Sequence, residues 1–143
     1  MIVDASVWVA MFRDNDVHHD DSVSFLDAAV TKQQDLHLPN LALAEIAGVF
    51  ARQTGKARLA TRTVRAILAL PRVQRHGLSD ALSDRAAALA ARCKLRGADA
   101  VYVALAEALD EPLITLDQEI LDRSTGVIRT VTPTGWVHSI SGV

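Results

Sequence analysis

The chain has 143 residues, half of them hydrophobic, with 15 basic residues, 17 acidic residues and a single cysteine. This suits one domain, residues 1–143, with a core of its own, and excludes a disordered or low-complexity chain. One cysteine, Cys93, excludes an internal disulfide and a cysteine-based zinc site, and its Ala-rich surroundings suit a small buried hydrophobe.

Met1 leads directly into a strand-like run, leaving no room for a cleavable leader, and no apolar run approaches the roughly 18 residues of a membrane span. A cytoplasmic protein without a membrane segment is expected. The net charge of −2 conceals an asymmetry. Residues 46–79 contain no acid but carry Arg52, Lys56, Arg58, Arg62, Arg65, Arg72 and Arg75, so the rest of the chain is strongly acidic. A basic flank on an acidic body is either a solvated face or a surface for a polyanion.

Residues 1–4 read as a very short strand, and residues 5–13, with Val7, Trp8, Met11 and Phe12, as an apolar helix. His18 and His19 fall in a polar stretch that suits an exposed loop and helix start, and Val23, Leu26 and Val30 suggest a second helix. Residues 35–38 are a plausible strand. Pro39-Asn40 then opens a helix over 41–53 that Thr54-Gly55 closes. The next helix, 56–70, points Leu59, Val64, Ile67 and Leu68 inward and places Arg58, Arg62 and Arg65 on the opposite face. A third strand is expected over 72–78 and a helix over 80–96 stopped by Gly97. A helix over 98–109, a strand over 113–116, a short helix over 118–123 and a last strand over 127–131 complete the pattern. Strands alternating with helices imply a parallel sheet of four to five strands in a three-layer α/β/α sandwich.

Four carboxylates stand in or beside apolar segments: Asp4 after Ile2-Val3, Glu45 within Leu41-Ala42-Leu43-Ala44-Glu45-Ile46, Asp99 after Gly97-Ala98, and Asp117 after Leu113-Ile114-Thr115-Leu116. Asp4 and Asp117 fall at carboxyl ends of predicted strands, the edge where open α/β sheets bind ligands. Asp4, Asp99 and Asp117 can equally be helix caps. Glu45 has no such explanation, because it lies inside a helix among apolar neighbours. Like charges about 4 Å apart repel by roughly 4 kcal/mol at an effective dielectric of 20, so a cluster of four needs cations or protons. Oxygen donors alone favour a hard cation, Mg²⁺ or Mn²⁺. Ser6 and Thr115 can orient the carboxylates, or serve only as capping and strand residues.

Ile2-Val3-Asp4-Ala5-Ser6, Pro39 with Glu45 six residues on, Gly97-Ala98-Asp99-Ala100 followed by Tyr102, and Leu113-Ile114-Thr115-Leu116-Asp117 occur in this order across nearly the whole chain. In that order and spacing the chain resembles a PIN-domain ribonuclease, and in size and layout the VapC toxins of bacterial toxin-antitoxin modules. The resemblance implies the α/β/α fold and metal-dependent hydrolysis of RNA phosphodiesters. It implies one or two Mg²⁺ or Mn²⁺ ions held by Asp4, Glu45, Asp99 and Asp117, with Ser6 and Thr115 in support. It further implies a homodimer and a cognate VapB-like antitoxin. Arg52, Arg58, Arg62 and Arg65 are candidates to hold the RNA backbone.

Two other classes remain in view. A response-regulator-like phosphoacceptor domain would want adjacent acids after the first strand and a late lysine, whereas Asp4 stands alone and the last lysine is Lys94. A catalytically silent PIN-like binding module would keep the fold without the chemistry. No GxxxxGK[ST] loop supports nucleotide hydrolysis.

Overall fold

Short aliphatic runs pair side by side in the core, and the longer segments between them coil into helices that cover both faces of the resulting sheet. The computed structural model describes residues 1–142. Along the chain the elements are β1 (Ile2–Val3), α1 (Ala5–Met11), α2 (His19–Thr31), β2 (Leu36–Pro39), α3 (Leu41–Thr54), α4 (Ala57–Leu68), β3 (Val73–His76), α5 (Asp80–Cys93), α6 (Gly97–Leu109), β4 (Leu113–Ile114), α7 (Gln118–Arg123), β5 (Thr130–Val131) and α8 (Pro133–Ser141). The strands hydrogen-bond in the order β3-β2-β1-β4-β5, every pair parallel. The expected three-layer α/β/α arrangement is the one formed.

Right-handed crossovers explain the layering. The chain steps from β1 to β2 to β3 in one direction, then crosses back to β4 and continues outward to β5, so the crossover helices of the two halves fall on opposite faces, while α8, after the last strand, returns to pack on α2. The central strands are buried on both sides, and Ile2, Val3, Leu36, Leu38, Leu113 and Ile114 are all inaccessible to solvent, as doubly covered parallel strands require. Helix α6 lies against β1, β2 and β4 and carries an almost unbroken buried run, Asp99 to Ala106. Trp8, with no exposed surface, donates its indole N–H to the Val3 carbonyl at 3.2 Å and so ties α1 to β1.

Several boundaries differ from the sequence reading, each for a local reason. Helix α5 ends at Cys93 rather than Gly97, because Lys94 takes the left-handed conformation (φ 55°) and closes it onto Ala90; Gly97 opens α6 instead. In α4 Ile67 is buried as expected and Val64 packs against the core while partly exposed, but Ala60 and Thr63 are buried in place of Leu59, which is 37% exposed. In α2 Ser22, Phe25 and Ala29 face inward while Val30 is exposed. The final strand is only two residues long.

Helix α8 was not anticipated. Its start is an ordinary one: Thr132 accepts a hydrogen bond from the Gly135 N–H at 3.1 Å and Pro133 occupies the first turn. It is held by Trp136, whose ring meets Phe25 of α2 edge to face at 5.3 Å. No helix among the described residues is long and apolar enough to cross a membrane. Cys93 is half-buried at the end of α5 and packs against the core, His18 is exposed just before α2, and His19 faces the Ala10 carbonyl at 3.0 Å.

Candidate metal centre

The chain leaves β1 towards one edge of the sheet and leaves β4 towards the other, so β1 and β4 flank the topological switch point, where parallel α/β sheets open a crevice at the carboxyl ends of their strands. Asp4 is the residue after β1, and Thr115 follows β4 directly. The ladder extends one step beyond both strands, through Asp4 N–H to Ile114 C=O at 3.0 Å and Thr115 N–H to Val131 C=O at 3.1 Å. Both residues are thereby fixed by backbone bonds. A cleft of about 320 Å³ opens here, lined by Asp4, Ser6, Val9, Glu45, Val49, Arg96, Asp99 and Asp117 among others. All four sequence-nominated carboxylates face it.

Asp4 is 5% exposed and is oriented by two hydroxyls. Ser6 Oγ donates to Asp4 Oδ2 at 2.5 Å, and Thr115 Oγ1 donates to the same oxygen at 3.0 Å. Each hydroxyl in turn accepts a backbone N–H, Ser6 from Leu116 at 3.2 Å and Thr115 from Asp117 at 3.0 Å. With their lone pairs engaged by the backbone, both hydroxyl protons are directed at Asp4. Two converging relays therefore hold one carboxylate, and they stitch the β1–α1 turn to the β4–α7 turn. Although Asp4 sits at the start of α1, its side chain makes no capping hydrogen bond, so the simple cap explanation does not apply.

The other three acids come from three different helices or their starts. Glu45, in the second turn of α3, accepts from the phenol of Tyr102 at 2.8 Å. Tyr102 has no exposed surface. Asp99 is the third residue of α6, 7% exposed, and is not a cap. Asp117 has both roles. Its Oδ1 caps α7 through the N–H groups of Glu119 (2.8 Å) and Ile120 (3.4 Å), while its Oδ2 faces the cleft and meets Arg96. Arg96 forks between two acids, Nε to Asp99 Oδ2 at 2.7 Å and Nη2 to Asp117 Oδ2 at 2.7 Å.

Sequence reasoning did not nominate Arg96 or Tyr102 as site residues. For Arg96 a signal was present: it lies three residues before Asp99 across a helix start, the spacing at which a guanidinium reaches back to a carboxylate.

Burial raises the carboxyl pKa of Asp4, and the nearby Asp99 charge adds to this against the two hydroxyl hydrogen bonds. Burial likewise raises Glu45, with Asp4 and Asp99 reinforcing and Tyr102 and Arg96 opposing. Asp99 is raised by burial too, and Arg96 works against the shift. The Tyr102 phenol is driven far up by burial and by the charges of Asp4 and Glu45, so it remains a donor. Three acids held above the usual carboxylate range in one cleft make a site that a hard cation would relieve, and the donor set is all oxygen. Among the described residues, however, no three His, Cys, Asp or Glu side chains converge closely enough to ligate one ion. The donor chemistry fits a divalent cation, and as the side chains stand Asp99 and Asp117 are both held by Arg96.

None of the four candidate RNA-binding arginines lines this cleft. Arg52 folds back along α3 over Gly48, where an added Cβ would meet its Nη1 at 2.9 Å. Arg58 and Arg62 border a separate hollow with Lys56 and Leu59, and Arg62 also borders one with Phe12, Thr63 and Ala66. Phe12 follows the last turn of α1 and lies three residues from Val9, which lines the carboxylate cleft, so α1 and the residue that closes it contribute to both hollows.

A five-stranded parallel sheet with four acids lining a cleft at its switch point defines an open α/β/α class, and its strand order differs from the 2-1-3-4-5 of response regulators. The family described as PIN domain matches residues 1–125, and the chain belongs to that family. The fold is also that of Mycobacterium tuberculosis VapC20, a "Sarcin-Ricin loop cleaving toxin" (TM-score 0.74, 19% identity, covering 90% of this chain and 98% of that one). It is similar to FitAcB from Neisseria gonorrhoeae (TM-score 0.71, 20% identity, 92% and 96% covered) and to PAE2754 from Pyrobaculum aerophilum (TM-score 0.70, 18% identity, 99% and 95% covered). No curated protein matches the chain by sequence.

Proposed function

We propose that this PIN-domain protein is a Mg²⁺- or Mn²⁺-dependent endoribonuclease, the toxin of a VapBC-like module, restrained by a cognate VapB-like antitoxin and working as a homodimer. The observation that carries the reading is the convergence of Asp4, Glu45, Asp99 and Asp117, from four separate parts of the chain, on one cleft at the sheet's switch point. The fold recurs in a toxin-antitoxin complex from Klebsiella pneumoniae and in VapBC2 of Rickettsia felis bound to a DNA fragment from their promoter, which supports the reading.

A bound divalent cation supplies Lewis-acid activation of water and stabilisation of charge on the phosphoryl oxygens. The chain's own residues do the rest. Asp4, locked by Ser6 and Thr115, gives a fixed anchoring oxygen, and Asp99 and Asp117 add theirs from the same cleft. Glu45, held by Tyr102, has a raised pKa and is suited to positioning the attacking water. The arginines of α3 and α4 engage flanking phosphates outside the cleft.

The test is cleavage of labelled total RNA by antitoxin-free protein, with Mg²⁺ or Mn²⁺ against EDTA, alongside Asp4→Asn and Asp99→Asn. Metal-dependent cuts, lost by at least 100-fold in both variants, are expected. Persistence of cleavage in EDTA, or in both variants, would sink the reading. Absence of both cleavage and cation binding by wild type would leave a PIN-fold binding module, for which the closed Arg96–Asp99–Asp117 contact is the favouring feature.

A further inference from the structure

Arg96 poses a difficulty for the reading just given, and the inference drawn from it rests on that reading. Its guanidinium satisfies two of the four acids at once, yet 66% of its side chain is exposed at the cleft rim. Among the described residues that line the cleft it is the only basic one. A phosphodiester entering a pocket of four carboxylates meets repulsion on every side, and the arginines of α3 and α4 stand outside that pocket. The cation that meets the scissile region must therefore come from a metal, from Arg96, or from both.

We propose that Arg96 is a phosphate-binding residue that rests on Asp99 and Asp117 and transfers to the RNA phosphodiester when a divalent cation takes those two carboxylates. The geometry suits such an exchange. Nε and Nη2 form the planar fork that binds two oxygens, and the fork fits two phosphate oxygens as well as it fits one oxygen from each of two acids. Arg96 occupies the extended position just before α6 (φ −65°, ψ 153°), where its side chain makes no cap, so the guanidinium can swing without unwinding a helix turn. The guanidinium end of both pairs is two-thirds exposed, so a doubly charged ion can displace the singly charged fork. A cation held by Asp99 and Asp117 would repel the guanidinium and free it for an anionic substrate. In the resting state the same contact lowers the repulsion among the acids and guards the cleft against adventitious cations.

A rigid structural clamp predicts the opposite outcome, because its loss would disorder Asp99 and Asp117 and weaken cation binding. Mn²⁺ affinity, measured without RNA by electron paramagnetic resonance and calorimetry on the full chain, separates the two. Arg96→Ala is expected to bind Mn²⁺ about three- to tenfold more tightly than wild type, the gain from removing two weak competing contacts. At saturating Mn²⁺ the same variant should raise KM for RNA at least about fivefold, one lost phosphate contact, with a smaller change in kcat. Arg96→Lys, which keeps the charge and loses the fork, should fall between on both measures. Mn²⁺ affinity unchanged or weakened in Arg96→Ala, or an unchanged KM, overturns the proposal. If wild type still cleaves RNA with metal in that event, the nuclease reading stands without it. Wild type that neither binds Mn²⁺ nor cleaves removes both.

Discussion

Thr115 shows how much of this site depends on single atoms. It has no exposed surface, and its one hydroxyl both accepts the Asp117 N–H and donates to Asp4. Thr115→Val keeps the shape and the β-branching but removes both bonds, leaving a part-buried N–H unpaired and Asp4 with Ser6 as its remaining side-chain donor. Chemical denaturation should show a loss of about 1–3 kcal/mol, and metal-dependent cleavage should fall by more than the loss of folded protein explains. Thr115→Ser should restore most of both. A variant that matched wild type in both measurements would show that the Ser6 relay alone orients Asp4.

At the scale of elements, α4 tests whether the basic flank has a role beyond solubility. Arg58, Arg62 and Arg65 are exposed, and α4 buries Ala60, Thr63 and Ile67 behind them. Replacing all three by Gln should leave the melting temperature within a degree or two while weakening single-stranded RNA binding. The slope of log K against log salt should fall by about 2, at about 0.7 per lost phosphate contact. An unchanged slope would return these arginines to the solvated-face explanation.

The elements themselves were legible wherever apolar periodicity and end signals agreed: β1, α3 with its Gly55 cap, α6 and α7 all fall within a few residues of expectation. What periodicity could not reveal was rotation. Leu59 is expected inward because it is large and apolar, whereas the neighbouring Ala60 and Thr63 are the residues buried. Helix α8 was missed because its packing on α2, with Trp136 against Phe25 and Val137 and Ile140 against the core, is tertiary and is not encoded in local pattern. The four acids were legible from strand ends and from a carboxylate out of place in a helix. Arg96 was legible only as a neighbour of Asp99 at i,i+3, since its second contact, to Asp117, exists only when α6 and α7 come together.

The whole molecule carries an electrostatic load that should be visible in its stability. Asp4, Glu45 and Asp99 all hold their protons to higher pH in the folded chain than their ordinary values of 3.8, 4.5 and 3.8. Where a folded carboxyl is raised, the native state binds more protons than the unfolded one, so the contribution to stability is full below about pH 4 and declines as pH rises towards the folded values. His37 and His76, paired at 3.0 Å and both lowered from 6.5 mainly by burial, act in the other sense and lose stability as pH falls through 6.5. The two trends overlap, so the total curve is not diagnostic.

The difference between wild type and Asp4→Asn removes the histidines, which are common to both. In EDTA, Asp4→Asn should be the more stable protein at pH 8, with an advantage that shrinks towards pH 4. Adding Mn²⁺ should reverse the order at pH 8. Wild type gains stability by mass action, about 2.7 kcal/mol when free ion is 100 times its dissociation constant, and the variant gains far less. At pH 5 protons compete for the same oxygens and the gain in wild type should be smaller. Thermal melts of both proteins at pH 5 and pH 8, with and without Mn²⁺, measure all of this. A Mn²⁺ effect equal in the two proteins, or independent of pH, would mean that the ion binds elsewhere and that the raised carboxyls are only a strain on the fold.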